Sequence, residues 1–179
     1  MPEIVDGRLR VWTDGSCYPN PGPGGWAWAL DRETFASGPA RVTTNNRMEM
    51  MAAIRAIQAN EGPLEVFSDS QYVCGCFRDQ WYRTWIRQGW QHKGVDRKNR
   101  DLWEPFVNLV LSRDIKFTWV KGHAGHAGNE KADQLANLGA DQTLALLKQP
   151  AQDKKKSETD WLLSDPFGLD FTEDELVEE

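Results

Sequence analysis

The chain opens with segments that read as strands joined by turns and continues with strands separated by helices, an order that leaves few folds open to it. Residues 8 to 17, "RLRVWTDGSC", alternate in character and run into an Asp-Gly turn signal; "GGWAWAL", after the turn-rich "YPNPGPGG", reads as a second strand. "ETFASG" is a third. Residues 45 to 60 then place Met50, Ala53, Ile54 and Ile57 on one face of a helix that the "NEGP" turn stops. "LEVFSD" is a buried strand, followed by short helical stretches from "SQYVCGCF" through "QWYRTWIRQG", a basic loop, and a helix from about Asn99 to Ser112 with Pro105 near its first turns. The last strand, "IKFTWV", leads through "KGHAGHAGNE" into a helix from about Gly128 to Leu147 that turns Ala132, Leu135 and Leu138 inward. The expectation is one α/β domain over residues 1 to 148, built on a mixed sheet.

Composition excludes several classes. No stretch approaches the roughly 20 apolar residues that cross a bilayer, and the start "MPEIVDGRLR" has no apolar run of the signal-peptide kind. Cys17, Cys74 and Cys76 are odd in number and lack framework spacing, so reduced thiols in a soluble, cytoplasmic chain are expected. The net charge of −6 disfavours nucleic acid as a partner only until it is located along the chain. Residues 151 to 179 hold three lysines against ten acids, whereas residues 78 to 100 carry seven bases against Asp79 and Asp96. That basic segment, interleaved with Trp81, Trp85 and Trp90, fits a nucleic-acid grip better than a solvated face over an aromatic anchor, because the bases cluster there while the rest of residues 1 to 150 is close to neutral. Residues 149 to 179 are expected to form a mostly disordered acidic tail.

Four acids have the setting of a site. Asp14 and Asp69 close predicted strands, which become neighbours at one edge if those strands are parallel. Glu49 and Asp133 sit early in predicted helices. Singly, each has an ordinary account: turn residues for the aspartates, helix-dipole partners for the other two, and for Glu49 a capping box with Asn46. Brought together without counter-ions they would repel strongly, so a cluster implies bound cations or raised pKa values. An all-oxygen donor set selects hard cations. Magnesium fits best, and two ions roughly 3.5 to 4 Å apart would suit phosphodiester hydrolysis.

With "TDGSC..NPGPGG", "TTNNRMEMMAAI", "SDSQYV", "KN.DLW" and "WVKGHAGH..NE.AD.LA" in order over about residues 8 to 140, the chain resembles type 1 ribonuclease H of the bacterial branch. The resemblance implies a ribonuclease H-like fold with a five-stranded mixed sheet flanked by helices. It also implies an endonuclease that cuts the RNA strand of RNA/DNA hybrids with two magnesium ions, manganese being a substitute, leaving 5′-phosphate and 3′-hydroxyl ends. By motif position Asp14, Glu49, Asp69 and Asp133 correspond to the metal-binding acids, and His123, in a glycine-flanked loop, to the histidine that assists proton transfer or product release. His126 is read as structural, since His-x-x-His without cysteine partners is poor zinc spacing.

Asn20, Asn45, Asn46 and Gln71 match positions that contact the hybrid, whose ribose 2′-OH is what distinguishes it from DNA. Thr44 and Asn99 match a pocket for a DNA-strand phosphate. Val42 departs from the pattern, standing where an arginine is often found, with Arg41 one position earlier. Trp81 and Trp85 fall in the protrusion that grips the DNA strand, where they more readily seat the segment than stack on bases. A monomer is expected, and the tail's apolar residues among acids suit either a protein partner or the chain's own basic segment. The rivals are a hybrid-binding module without catalysis and a nuclease of the same fold acting on DNA.

Overall fold

The computed structural model describes residues 1–147; the tail from residue 148 lies outside the described residues. Five strands form the main sheet: β2 (Arg8–Cys17), β3 (Gly22–Ala29), β4 (Phe35–Thr43), β5 (Leu64–Ser68) and β8 (Ile115–Trp119), in the order β4-β3-β2-β5-β8. β2, β3 and β4 are antiparallel neighbours, while β5 runs parallel to both β2 and β8. The mixed sheet is as expected, with one addition. A two-residue strand, β1 (Ile4–Val5), folds back on β2 through Asp6 and Gly7, whose φ angles of 51° and 75° are those of a tight hairpin turn.

Two layers of helix cover the sheet. On one face α1 (Asn45–Ala59) and α4 (Arg100–Leu111) bury Met50, Ile54 and Ile57 with Trp103 and Phe106 over Val11 and Val66. At about 25 cal/mol per Å², apolar burial of this kind is the main force holding the layers together. The far end of α1 is satisfied from a distance: the Arg113 guanidinium donates to the carbonyls of Ile57, Asn60 and Gly62. On the other face α5 (Ala127–Leu147) lays Ala132, Leu135 and Ala136 against the sheet. Leu138, expected inward, is 50% exposed; the small Gly139 packs against Gly25 and Gly38 instead.

Along the chain between β5 and α4 lie α2 (Gln71–Arg78), α3 (Trp81–Arg87) and a hairpin of β6 (Gln91–His92) and β7 (Val95–Asp96). This is the basic segment. Its hairpin closes through Lys93 and Gly94, both at positive φ. The three cysteines are buried and form no disulfide among the described residues, and burial pushes the thiols of Cys74 and Cys76 up to about 12. No described helix is long and apolar enough to cross a membrane.

The start of α1 differs from expectation. Its cap is Thr44, whose hydroxyl accepts from the Arg47 backbone N–H at 3.3 Å, so Asn46 does not form a capping box with Glu49. Glu49 is thereby left for another purpose.

Candidate active site

The site forms where the pairing of β2 with β5 gives out. Their register ends at Trp12 opposite Phe67, so Asp14 and Asp69 stand beyond the last shared rung, at the carboxyl ends of parallel neighbours. Such crevices are where open α/β sheets bind ligands. Asp14 does not occupy a turn, as its Asp-Gly context suggested: it lies within β2, opposite Ala27, and is only 5% exposed. A Cβ on Gly15 would lie 2.4 Å from the Glu49 backbone nitrogen. Glycine therefore lets the first turn of α1 close on β2, and that approach delivers Glu49 to Asp14.

One carboxylate oxygen from each of Asp14, Glu49 and Asp69 lies within 4.8 Å of the other two. Asp133, from α5, lines the same cavity of about 510 Å³. Its carboxylate accepts from Asn137 at 3.1 Å, and Asn137 in turn accepts from the Ser16 hydroxyl at 2.5 Å, which ties α5 to β2 beside the acids.

Burial pushes Asp14 up to about 8, the charges of Asp69 and Asp133 add to the shift, and hydrogen bonds with Glu49 and the Gly15 N–H oppose it. Burial, then the charges of Asp14 and Asp69, drives Glu49 well above its ordinary range. Asp69 is raised by burial and by Asp133, with His123 and Asn129 pulling the other way. Among the described residues no lysine or arginine forms an ion pair with any of the four acids. Glu49 Oε2 is shut away from solvent with no hydrogen-bond partner. A buried carboxylate oxygen in that state is costly unless a cation meets it, and oxygen-only donors suit a hard divalent ion. The residues fit such an ion.

The remaining predicted residues surround this cluster unequally. Asn45, Asn46 and Gln71 line the cavity, Gln71 being placed at the start of α2 by the Ser70 cap. Asn20 and Asn45 are linked: the Asn45 N–H donates to Asn20 Oδ1 at 3.2 Å, and Asn45 Oδ1 accepts from the Cys17 N–H at 2.8 Å. His123, exposed with a φ of 55°, sits on the loop before α5. That loop lies close over Asp69, since a Cβ on Gly122 would reach Asp69 Oδ2 at 2.6 Å. His126 packs against Trp12, 5.6 Å between ring centroids, consistent with a structural part.

Thr44 and Asn99 are joined through Arg47. Thr44 caps the Arg47 N–H, while the Arg47 guanidinium donates to Asn99 Oδ1 at 3.1 Å and pairs with Asp101. Asn99 also donates to the Tyr72 hydroxyl at 3.2 Å. Arg41 is exposed at the end of β4 beside exposed Val42. Trp85 is only 8% exposed, packed edge-on against Trp103, tilted against Trp90 and covered by the Arg97 guanidinium, so it seats the protrusion and offers little ring surface outward; Trp81 is 38% exposed.

Sequence reasoning missed Asn129, Arg47 and Tyr72. Asn129 is buried beside Asp69, and its place four residues before Asp133 puts it on the same helical face. Arg47 had its own signal, a base directly before the apolar run of α1. Tyr72 had none, because its partners Asn99 and Trp103 are distant in sequence.

Known proteins carry the same arrangement of sequence and fold. Residues 6–141 match the protein family described as RNase H. A ribonuclease H from Nitratidesulfovibrio vulgaris is 47% identical over 141 residues, covering 74% of this chain and 88% of the relative. One from Legionella pneumophila is 43% identical over 141 residues, covering 75% and 98%. Among solved structures, that of LC9-RNase H1, a type 1 RNase H with the type 2 active-site motif, superposes with a TM-score of 0.64 at 29% identity, covering 79% of this chain and 75% of the other.

Proposed function

Because this chain belongs to the ribonuclease H family, we propose that it hydrolyses the RNA strand of RNA/DNA hybrids endonucleolytically, with two magnesium ions, leaving 5′-phosphate and 3′-hydroxyl ends. One observation carries the reading: carboxylates from β2, α1 and the end of β5 converge within 4.8 Å, and Glu49 Oε2 among them is buried without a partner. Asp14, Glu49, Asp69 and Asp133 would hold the ions. When bound, divalent ions supply charge neutralisation at the phosphate and lower the pKa of water.

The chain's own groups do the rest. Burial and crowding disfavour the ionised forms of Asp14 and Glu49 until a cation meets them, so the site is poised for a divalent ion rather than for acid catalysis by a free carboxyl. Water attacks the phosphorus, the bond to the 3′ oxygen breaks, and that oxygen departs with a proton. His123, solvent-facing on the loop over Asp69, is the group proposed to move protons in that step or to loosen the product. Asn45, Asn46 and Gln71 present amides along the cavity, with Asn20 joined to Asn45, the donor and acceptor set that reads a 2′-OH. Asn99 and Thr44 mark the DNA-strand phosphate position, with Arg47 holding both. Residues 1–148 would form the catalytic domain, residues 78–100 its grip on the DNA strand, and the chain would act as a monomer, since all four acids come from one copy.

Cleavage of matched hybrid, all-RNA and all-DNA duplexes, with and without chelator, tests this. Cutting is expected only in the hybrid's RNA strand and only without chelator. Equal cutting of all-DNA substrate, or binding to hybrid without any cutting in magnesium, would overturn the proposal.

A further inference from the structure

A second cavity, of about 380 Å³, opens between the protrusion and the body of the domain. His92, Arg97 and Lys98 line it together with Tyr72 and Val95, which supply its accessible apolar wall over the buried Trp85 and Trp103. Val95 projects from the hairpin beside it, 69% exposed. The one carboxylate on its wall, Asp96, is already paired with Arg100 at 2.7 Å. On α3 and the hairpin turn, Arg83, Arg87 and Lys93 form no ion pair among the described residues. An apolar wall beside cations suits a ligand that is both acidic and apolar.

The chain carries such a segment. Residues 160 to 179 contain eight acids and no base, interspersed with Trp161, Leu162, Leu163, Phe167, Leu169 and Phe171. The 12 residues from 148 to 159 can span up to about 40 Å when extended, beyond the ~30 Å width of a small domain. We propose that residues 160–179 dock in this cleft within the same molecule, apolar side chains toward Tyr72 and Val95 and carboxylates toward the cations that line it, and so compete with nucleic acid for the protrusion. The docking stands on charge and shape alone; the competition rests on the reading of the protrusion as a nucleic-acid grip.

The test uses the full chain. A zero-length carbodiimide cross-linker is expected to join a tail carboxylate to Lys93 or Lys98 in a product of monomer mass, located by mass spectrometry. A variant carrying Asp165→Asn, Asp170→Asn, Glu173→Gln, Asp174→Asn and Glu175→Gln should lose that link. In chelator and low salt it should bind hybrid about tenfold more tightly than the parent, the factor for a cleft occupied nine-tenths of the time. The gap should close as salt screens the tail. Cross-links that avoid Lys93 and Lys98, or that form only dimers, would overturn intrachain docking. Equal hybrid affinities would overturn the competition. If neither form binds hybrid while the link persists, docking holds and the nucleic-acid reading fails.

Discussion

Asp14, Glu49 and Asp69 are held by β2, α1 and the end of β5, elements packed into the core, whereas the bases of residues 78–100 ride on short helices and a hairpin seated by aromatic rings. The two regions handle charge in opposite ways. The acids are crowded, partly buried and without bases, so their geometry must be imposed by the fold against their own repulsion. The bases are spread over the surface, where each interaction is screened and geometry matters less. Rigid backbone is therefore spent where atoms must be placed to within an ångström, and looser turns suffice where only charge density counts.

Replacing one acid should do the most damage. Asp69→Asn is expected to lower kcat on the order of 10³-fold while leaving the circular dichroism spectrum unchanged, because an anionic donor is lost and the packing is not. Near-normal turnover would mean that the crowded acids are not the reacting centre.

Trp85→Ala probes how far the protrusion shares the core. Removing a ring packed on Trp103 and Trp90 should cost about 3 kcal/mol in urea unfolding and weaken hybrid binding through the disturbed protrusion. A loss of affinity without loss of stability would instead make Trp85 a direct contact. Smaller still is the effect of Arg83→Ala, Arg87→Ala and Lys93→Ala combined. Affinity should fall roughly tenfold at moderate salt, and the slope of log affinity against log salt should flatten, by up to roughly three units if all three touch phosphates, with kcat on saturating hybrid preserved. An unchanged slope would remove these residues from the grip.

The mildest effect concerns pH in the absence of metal. Folded Asp14 keeps its proton up to about 8, while the ordinary carboxyl releases it near 3.8. Between those values the folded state binds more protons, so thermal stability should decline as pH rises through the window. Asp14→Asn should flatten that decline. At pH 8, magnesium at about a hundred times its Kd should raise Tm by roughly 5–10 °C. A stability that climbs from pH 5 to 8 without metal would contradict the crowding of the acids.

Much of this was readable along the chain. Residues 8 to 17 were recognisable as a strand and 45 to 60 as a helix because hydrophobic periodicity and turn chemistry are local properties. The acids were conspicuous because Asp14, Glu49, Asp69 and Asp133 stood in motifs without neighbouring bases to explain them. Local reasoning failed where two signals competed. Asp-Gly at residues 14 and 15 suggested a turn, but β3 pairs with β2 through that point and Gly15 serves the approach of α1. Likewise Thr44 took the cap that Asn46 and Glu49 together suggested, and Leu138 faced solvent where helical spacing turned it inward.

Residue type and order alone determined which groups could do chemistry and which segments could be strands or helices, because side-chain chemistry and backbone preference belong to each residue and its close neighbours. The tertiary structure alone decided that β2 and β5 part beyond Trp12 and Phe67, that Glu49 Oε2 is sealed off, and that Arg47 joins Thr44 to Asn99. Those depend on how elements far apart in sequence close on one another, and packing of that kind is set by the whole chain at once.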